Sequence, residues 1–180
     1  MVVHSQDGYD RAMTTDDARG VVPSPNRVVS LEISSCIEML ELVDQVTEQA
    51  ASLAGFDADV IHGVSIAVRE AVANGIKHGN AGDERKRVRI EYEIARDESR
   101  STIVVHVRDE GAGFETTAVA HPRAPEDVSS TSGRGLLLMH AFMDRVDAHR
   151  AQDGGAEIVL RKTCYTDAGG KLPTASASLS

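Results

Sequence analysis

Three short segments of the sequence carry side chains whose types and spacing could do chemistry together. The first is REAVANGIKHGN, residues 69–80, where Glu70 and Asn74 lie one helical turn apart and therefore share a face. A carboxylate and an amide in this arrangement suit a hydrated magnesium ion, which prefers hard oxygen ligands and keeps waters and substrate phosphates. Helical spacing extends the stripe to His78, with Lys77 beside it. Taken alone, such a stripe is more often a solvated polar face of a helix.

The second segment is RDEGAGF, residues 108–114, at the end of an alternating apolar run. Asp109 continues the alternation, so its carboxylate is predicted to point towards the helix-covered face of a sheet. A carboxylate there needs a hydrogen-bond partner, and the exocyclic amine of a purine would serve. Gly111 and Gly113 permit a sharp turn and a close ligand approach. By itself the pattern also fits an ordinary turn at a strand end.

The third segment is SGRGLLLM, residues 132–139, where Gly133 and Gly135 flank Arg134 just before a predicted helix. Free backbone N–H groups and the positive end of a helix make an anion site, and Arg134 adds a charged fork for phosphate oxygens. A flexible glycine entry to an amphipathic helix is an equally good explanation of this segment alone.

Hydrophobic periodicity predicts the elements that must position these segments, because strict alternation favours strands and helical spacing favours amphipathic helices. Gly55 is predicted to stop the first helix and Asp57 to cap the second. The predicted strands are 27–34, 87–95, one within STIVVHVRDEGAGF (101–114), 146–152 and 156–162, the last two forming a hairpin across Asp153-Gly154-Gly155. The predicted helices are 37–54, 58–78 and a third that opens at Gly135.

Most of the predicted strands are polar on one face, so the sheet should expose that face and carry the helices on the other. The fold class predicted is α+β, a two-layer α/β sandwich whose mixed, mostly antiparallel sheet has helices on one face. Residues 1–25 are expected to form a flexible arm, 26–163 the domain and 164–180 a disordered tail. The long connection 115–132 is expected to be functional.

Composition limits the classes of partner. The 180 residues include 19 basic and 28 acidic side chains, with a formal net charge of −9. This balance argues against direct binding to nucleic acid or to an anionic membrane. No apolar run approaches the length of a membrane span and no basic-then-apolar leader is present, so a cytoplasmic protein is expected. Cys36 and Cys164 show no metal-ligand spacing, and a disulfide framework is not expected.

Together the three segments resemble the GHKL ATP-binding superfamily (the Bergerat fold) and, more narrowly, its RsbW-like anti-sigma-factor serine kinases. Glu-x-x-x-Asn followed by KHG is similar to the family's N box, DEGAGF to its first glycine box, and SGRGLLLMHAFMDRV to its second glycine box with the following helix. The resemblance covers about residues 27–163.

The resemblance implies roles for the residues of the first segment. Glu70 would be the general base that takes a proton from an attacking hydroxyl, and Asn74 would hold Mg²⁺. Lys77 would contact phosphate, and His78 would orient Glu70 or close the helix end. Asparagine has a low helix propensity, and a metal-binding role would explain why Asn74 is tolerated inside a helix. Gly75 stands where the family often has alanine.

The resemblance also implies an ATP site formed with the other two segments. Asp109 would accept a hydrogen bond from the adenine amine, with Gly111 and Gly113 shaping the purine pocket. Residues 115–132 would be the ATP lid. The residues expected to lie against the phosphates are Gly133, Arg134 and Gly135.

The function implied is an ATP-dependent serine/threonine protein kinase that phosphorylates a STAS-type anti-anti-sigma partner, sequesters a sigma factor and forms a homodimer. One alternative is a non-catalytic binding module in which nucleotide sets the affinity for a regulator. A histidine-kinase catalytic domain would require a helical hairpin that carries a phosphoacceptor histidine. The candidate, His62, lies in the predicted helix that contains the N box, which disfavours this alternative. A gyrase-like hydrolytic ATPase is disfavoured because it would require a transducer domain, which the sequence does not indicate.

Overall fold

A computed structural model of the protein describes residues 27–113, 131–151 and 154–165. The predicted arm 1–25, residues 115–130 of the predicted lid and residues 166–180 of the predicted tail lie outside this range, as does Asp153 of the predicted hairpin turn. The last strand continues to Tyr165, two residues beyond the predicted end of the domain.

The described elements follow the predicted order and confirm an α+β fold. The strands are β1 Arg27–Ser34, β2 Arg87–Arg96, β3 Arg100–Asp109, β4 Arg145–Arg150 and β5 Ala156–Tyr165. The helices are α1 Leu40–Ala54, α2 Ala58–Asn74 and α3 Thr131–Phe142, with a 3₁₀ turn at Ile37–Met39 and a π turn at Gly75–Gly79. None of the described helices combines the length and apolar character needed to cross a membrane.

The strands form one five-stranded sheet in the order β1-β2-β3-β5-β4. The sheet was predicted to be mixed and mostly antiparallel, and all four strand pairs described are antiparallel. The predicted β4–β5 hairpin is present, but β5 returns to pair with β3, so β4 forms the edge. This order brings the hairpin turn beside the end of β3.

The core lies between one face of the sheet and the three helices. The alternating apolar positions of β2 and β3 are almost fully buried, as are the apolar positions at helical spacing along α2 and into the π turn. These residues are Val88, Ile90, Tyr92, Ile94, Ile103, Val105, Val107, Val64, Val68, Val72 and Ile76. Tyr92 is the largest of them, and its hydroxyl lies 2.8 Å from Thr47 Oγ1 across the helix–sheet boundary. The alternation therefore assigned the faces of these strands correctly.

The opposite face of the sheet is polar. Glu32 of β1 pairs with Arg89 of β2 at 2.7 Å. Glu157 of β5 is only 5% exposed, and its two oxygens accept hydrogen bonds from His106 at 3.1 Å and from His149 at 2.8 Å. Cross-strand pairs of this kind let the face stay uncovered by helices while its charges are neutralised.

Local sequence signals set two helix boundaries as predicted. Gly55 ends α1 in the left-handed conformation, with φ 83°, and its N–H bonds the carbonyls of Ala51 and Ser52. Asp57 caps α2, because its Oδ1 accepts from the backbone N–H of Val60 at 2.9 Å. Both signals depend only on neighbouring backbone groups.

Two predicted helix boundaries are wrong. The second helix does not stay α-helical to His78, because α2 ends at Asn74 and is followed by the π turn. A hydrogen bond from the backbone N–H of Asn80 to the carbonyl of Gly75, at 2.7 Å, closes this turn. The third helix begins at Thr131 rather than Gly135. Two glycines cost a helix only about 2 kcal/mol in propensity, which buried packing of residues such as Met139 offsets.

Candidate functional site

The first and third segments meet where α3 crosses α2. Gly135 is buried, and a Cβ atom at this position would lie 2.7 Å from Glu70 Oε2 and 3.5 Å from Asn74 Nδ2. The missing side chain of Gly135 therefore leaves the space that the Glu70 carboxylate occupies. A Cβ at this position would displace the end of the Glu70 side chain, so glycine serves close approach here rather than a special backbone conformation.

The first and second segments meet through the π turn. A Cβ atom on Gly79 would overlap the Asp109 carboxylate, and one on Gly111 would overlap the carbonyl oxygen of Gly79. Gly75 is in looser contact, since its Cβ would lie 3.5 Å from Asp109 Cβ. The structure thus brings all three segments, separated in sequence, to one end of the sheet.

Asp109 is the last residue of β3 and is 6% exposed on the helix-covered face, as its parity predicted. Its Oδ1 accepts hydrogen bonds from the backbone N–H groups of Gly111 at 2.8 Å and Ala156 at 3.1 Å. Its Oδ2 accepts none from the residues that the structure describes. One oxygen therefore holds the carboxylate in place while the other keeps its acceptor capacity for a ligand donor.

Glu70 and Asn74 are half-buried on α2, one turn apart. Neither side chain makes a hydrogen bond or ion pair within the described part of the chain, so both keep their oxygen atoms available. No cluster of three or more His, Cys, Asp or Glu residues with metal-binding geometry occurs among those residues. A site with one or two protein oxygens, completed by water and phosphate, is the type that these two side chains can form.

Lys77 and His78 are exposed on the π turn. Because the π turn holds more residues per turn than an α-helix, His78 does not continue the stripe of Glu70 and Asn74 by helical spacing. Gly133 and Arg134 lie inside α3 with Gly135, rather than before it as predicted, and Arg134 is exposed.

The β4–β5 turn contributes to the site in a way that the sequence pattern did not indicate. A Cβ on Gly155 would overlap the Asp109 carbonyl oxygen, and Ala156 donates to the Asp109 carboxylate. Gly113 packs on the same turn with φ 74°, and its Cβ would lie 2.7 Å from Gly155 O. The DGG sequence predicted a turn, but only the β3–β5 pairing places that turn against Asp109.

A two-layer sandwich that gathers an acidic–amide helix, an Asp-x-Gly-x-Gly strand end and a glycine-flanked helix start at one end of its sheet defines the class of GHKL-type ATPase domains. The chain belongs to the histidine kinase-like ATPase domain family, whose sequence profile matches residues 33–162. The family and fold class predicted from the sequence are therefore confirmed.

Curated relatives are similar over most of the domain. The serine-protein kinase RsbW of Listeria monocytogenes serovar 1/2a is 30% identical over 140 residues, which cover 74% of this chain and 85% of the relative. The serine-protein kinase RsbW of Listeria innocua serovar 6a is 29% identical over the same length. An anti-sigma F factor of Clostridium perfringens is 37% identical over 107 residues, covering 57% of this chain and 72% of the relative.

Proposed function

We propose that this protein is an ATP-dependent serine/threonine protein kinase and anti-sigma factor that phosphorylates a STAS-type anti-anti-sigma partner. The names of its relatives support this proposal, since they include serine-protein kinases and an anti-sigma factor. The single observation that carries it is the packing of Gly135 on Glu70 together with that of Gly79 on Asp109. This packing supports the proposal because Glu70, the candidate general base, and Asp109, the candidate adenine-binding carboxylate, lie at the same end of the sheet.

In the proposed complex, the free Oδ2 of Asp109 accepts a hydrogen bond from the adenine amine. Oδ1 is already held by two backbone N–H groups, so the carboxylate is oriented before the ligand arrives. Gly111 and Gly113 form the wall of the purine pocket, and residues 115–132 act as the ATP lid. Preorganisation of this kind reduces the entropy lost on binding.

The phosphates lie towards α2 and the start of α3. Asn74 would hold Mg²⁺, and the ion would supply positive charge against the polyphosphate. The amide oxygen would bind the ion without adding a further negative charge beside the phosphates. Lys77 reaches the phosphates from the π turn. The residues proposed to contact them from the third segment are Gly133, Arg134 and Gly135, at the positive end of α3.

Glu70 is the proposed general base. It takes the proton from a serine or threonine hydroxyl of the partner while that oxygen forms its bond to the γ-phosphorus and the bond to the ADP oxygen breaks. Because the π turn takes His78 off the stripe of Glu70 and Asn74, its proposed role is to close the helix end rather than to orient Glu70. Positioning and charge neutralisation supply most of the rate enhancement in this chemistry.

The proposal extends to the assembly and its location. The domain, residues 26–163, with its arm and tail, forms a homodimer in the cytoplasm and sequesters a sigma factor when the anti-anti-sigma partner is phosphorylated. A pull-down from the native cell with and without ATP tests this part, because the bound partner should change with nucleotide. Analytical ultracentrifugation tests the dimer.

The activity is tested by incubating the purified protein with magnesium, γ-labelled ATP and a STAS-domain partner. We expect label on a serine or threonine of the partner. Glu70→Ala should retain ATP affinity measured by calorimetry and abolish transfer. Glu98→Ala is the matched control, because Glu98 is exposed at the opposite end of the sheet, between β2 and β3.

The outcomes separate the candidate functions. ATP binding without transfer in the wild type would favour the non-catalytic, nucleotide-gated module. Equal loss of binding and transfer in Glu70→Ala would show that Glu70 is structural. Asp109→Asn should weaken the binding of ATP more than the binding of GTP. An unchanged preference for adenine over guanine would contradict the proposed role of Asp109.

A further inference from the structure

Asn80 lies directly after the π turn and is fully buried. Its side-chain Nδ2 donates to Ser35 Oγ at 3.2 Å and to the Arg87 carbonyl at 2.9 Å. Its Oδ1 accepts from the Glu110 backbone N–H at 2.9 Å. Both amide donors and the acceptor are thus used.

These bonds tie together chain segments that are distant in sequence. Ser35 follows β1, Arg87 begins β2 and Glu110 follows β3. The backbone N–H of Asn80 also closes the π turn by bonding the Gly75 carbonyl at 2.7 Å. Asn80 therefore fixes the π turn to the ends of three strands.

Asp109 lies within this clamp. Gly79, whose Cα faces the Asp109 carboxylate, directly precedes Asn80, and Glu110, which donates to Asn80, directly follows Asp109. A shift of the π turn relative to the end of β3 would change the contact between Gly79 and the carboxylate. The direction in which Asp109 Oδ2 points thus depends on the bonds made by Asn80.

We propose that Asn80 is the positioning residue for Asp109 and thereby sets the protein's preference for adenine over guanine. The inference rests on the proposed role of Asp109 in nucleotide binding. Adenine carries an amine donor at the position where guanine carries a carbonyl acceptor. A carboxylate accepts from the first and repels the second, so the preference depends on where its free oxygen lies.

The test is the ratio of the GTP and ATP dissociation constants, measured by calorimetry for the wild type, Asn80→Ala and Asn80→Asp. Partial unfolding multiplies both dissociation constants by the same factor, so the ratio is independent of the folded fraction. Asn80→Asp keeps the shape and the acceptor but removes both donors. Its added charge acts on the phosphates of ATP and GTP alike.

Thr47→Val is the matched control. Thr47 is also fully buried, and its hydroxyl bonds Tyr92 in the core away from Asp109. This variant should lower the melting temperature while leaving the GTP/ATP ratio unchanged.

We expect the ratio to fall by about tenfold in both Asn80 variants, which corresponds to losing one well-placed hydrogen bond to a charged group. If a folded Asn80 variant kept the wild-type preference for ATP, the positioning role of Asn80 would be overturned and the proposed adenine site would stand. A wild type without any preference for ATP would overturn this inference together with the proposed adenine site. A ratio that falls equally in Thr47→Val would show that any loosening of the folded core changes the base preference, so that the bonds of Asn80 have no specific role, which also overturns the inference.

Discussion

Replacing Gly75 by alanine should stabilise the protein, although Gly75 is buried in the middle of the candidate site. Its φ and ψ are −57° and −44°, values that alanine adopts readily. A Cβ there would lie 3.5 Å from Asp109 Cβ and 3.8 Å from both Asp109 Oδ2 and Val88 Cγ2, which are ordinary contact distances. Removing the backbone freedom of glycine from the unfolded chain is worth about 0.4–1 kcal/mol.

Gly79→Ala is the contrasting substitution four residues later. Its Cβ would overlap the Asp109 carboxylate and lie 2.7 Å from Oδ1. The carboxylate would have to rotate away, and its bonds with Gly111 and Ala156 would be lost. We expect a loss of about 1–3 kcal/mol in the free energy of unfolding and weaker ATP binding.

Thermal and urea unfolding of the two variants, followed by calorimetric titration with ATP, provide the assay. Gly75→Ala should raise the melting temperature by roughly 1–4 °C and leave ATP affinity unchanged, whereas Gly79→Ala should lower both the melting temperature and the ATP affinity. If Gly75→Ala destabilised the protein, or weakened ATP binding as much as Gly79→Ala does, the described packing around Asp109 would be wrong.

Three further substitutions test other parts of the structure. Gly135→Ala should lower kcat by displacing the Glu70 carboxylate; an unchanged kcat would contradict the close packing of the two residues. The hydrogen bond from His106 is the main reason why the pKa of Glu157 is lowered to about 2 from 4.5. A lowered carboxyl pKa stabilises the fold above pH 4.5, and this stabilisation is lost as the pH falls towards 2. Glu157→Gln should therefore reduce the acid loss of unfolding free energy, measured by urea unfolding at several pH values, by at most about 3 kcal/mol. An identical pH dependence in the variant would refute the assignment. Asp57→Ala should cost about 0.5–1 kcal/mol in urea unfolding because α2 loses its N-cap, and no change would show that the bond to Val60 contributes nothing.

Strand faces and helix caps could be predicted from the sequence because they depend on near neighbours. Alternation along β3 placed Asp109 on the buried face, since successive side chains of a strand point to opposite sides. Gly55 and Asp57 set the boundary between α1 and α2 through bonds within four residues. The three chemical segments were also found from the sequence, because each stands at the end of a predicted element.

The π turn and the surroundings of Asp109 could not be predicted in the same way. The helical pattern predicted an α-helix through His78, but contacts of Gly79 and Asn80 with the end of β3 change its last turn. The strand order, which places Gly155 against Asp109, is likewise a property of the assembled sheet.

The sequence by itself determined the family, the chemical segments and the burial of each strand face, because these follow from residue type and local periodicity. Only the tertiary structure decided how closely the segments approach, which glycines must lack a side chain and which amide holds the strand ends together. Those properties arise from contacts between residues far apart in the chain, and no local pattern encodes the distances between them.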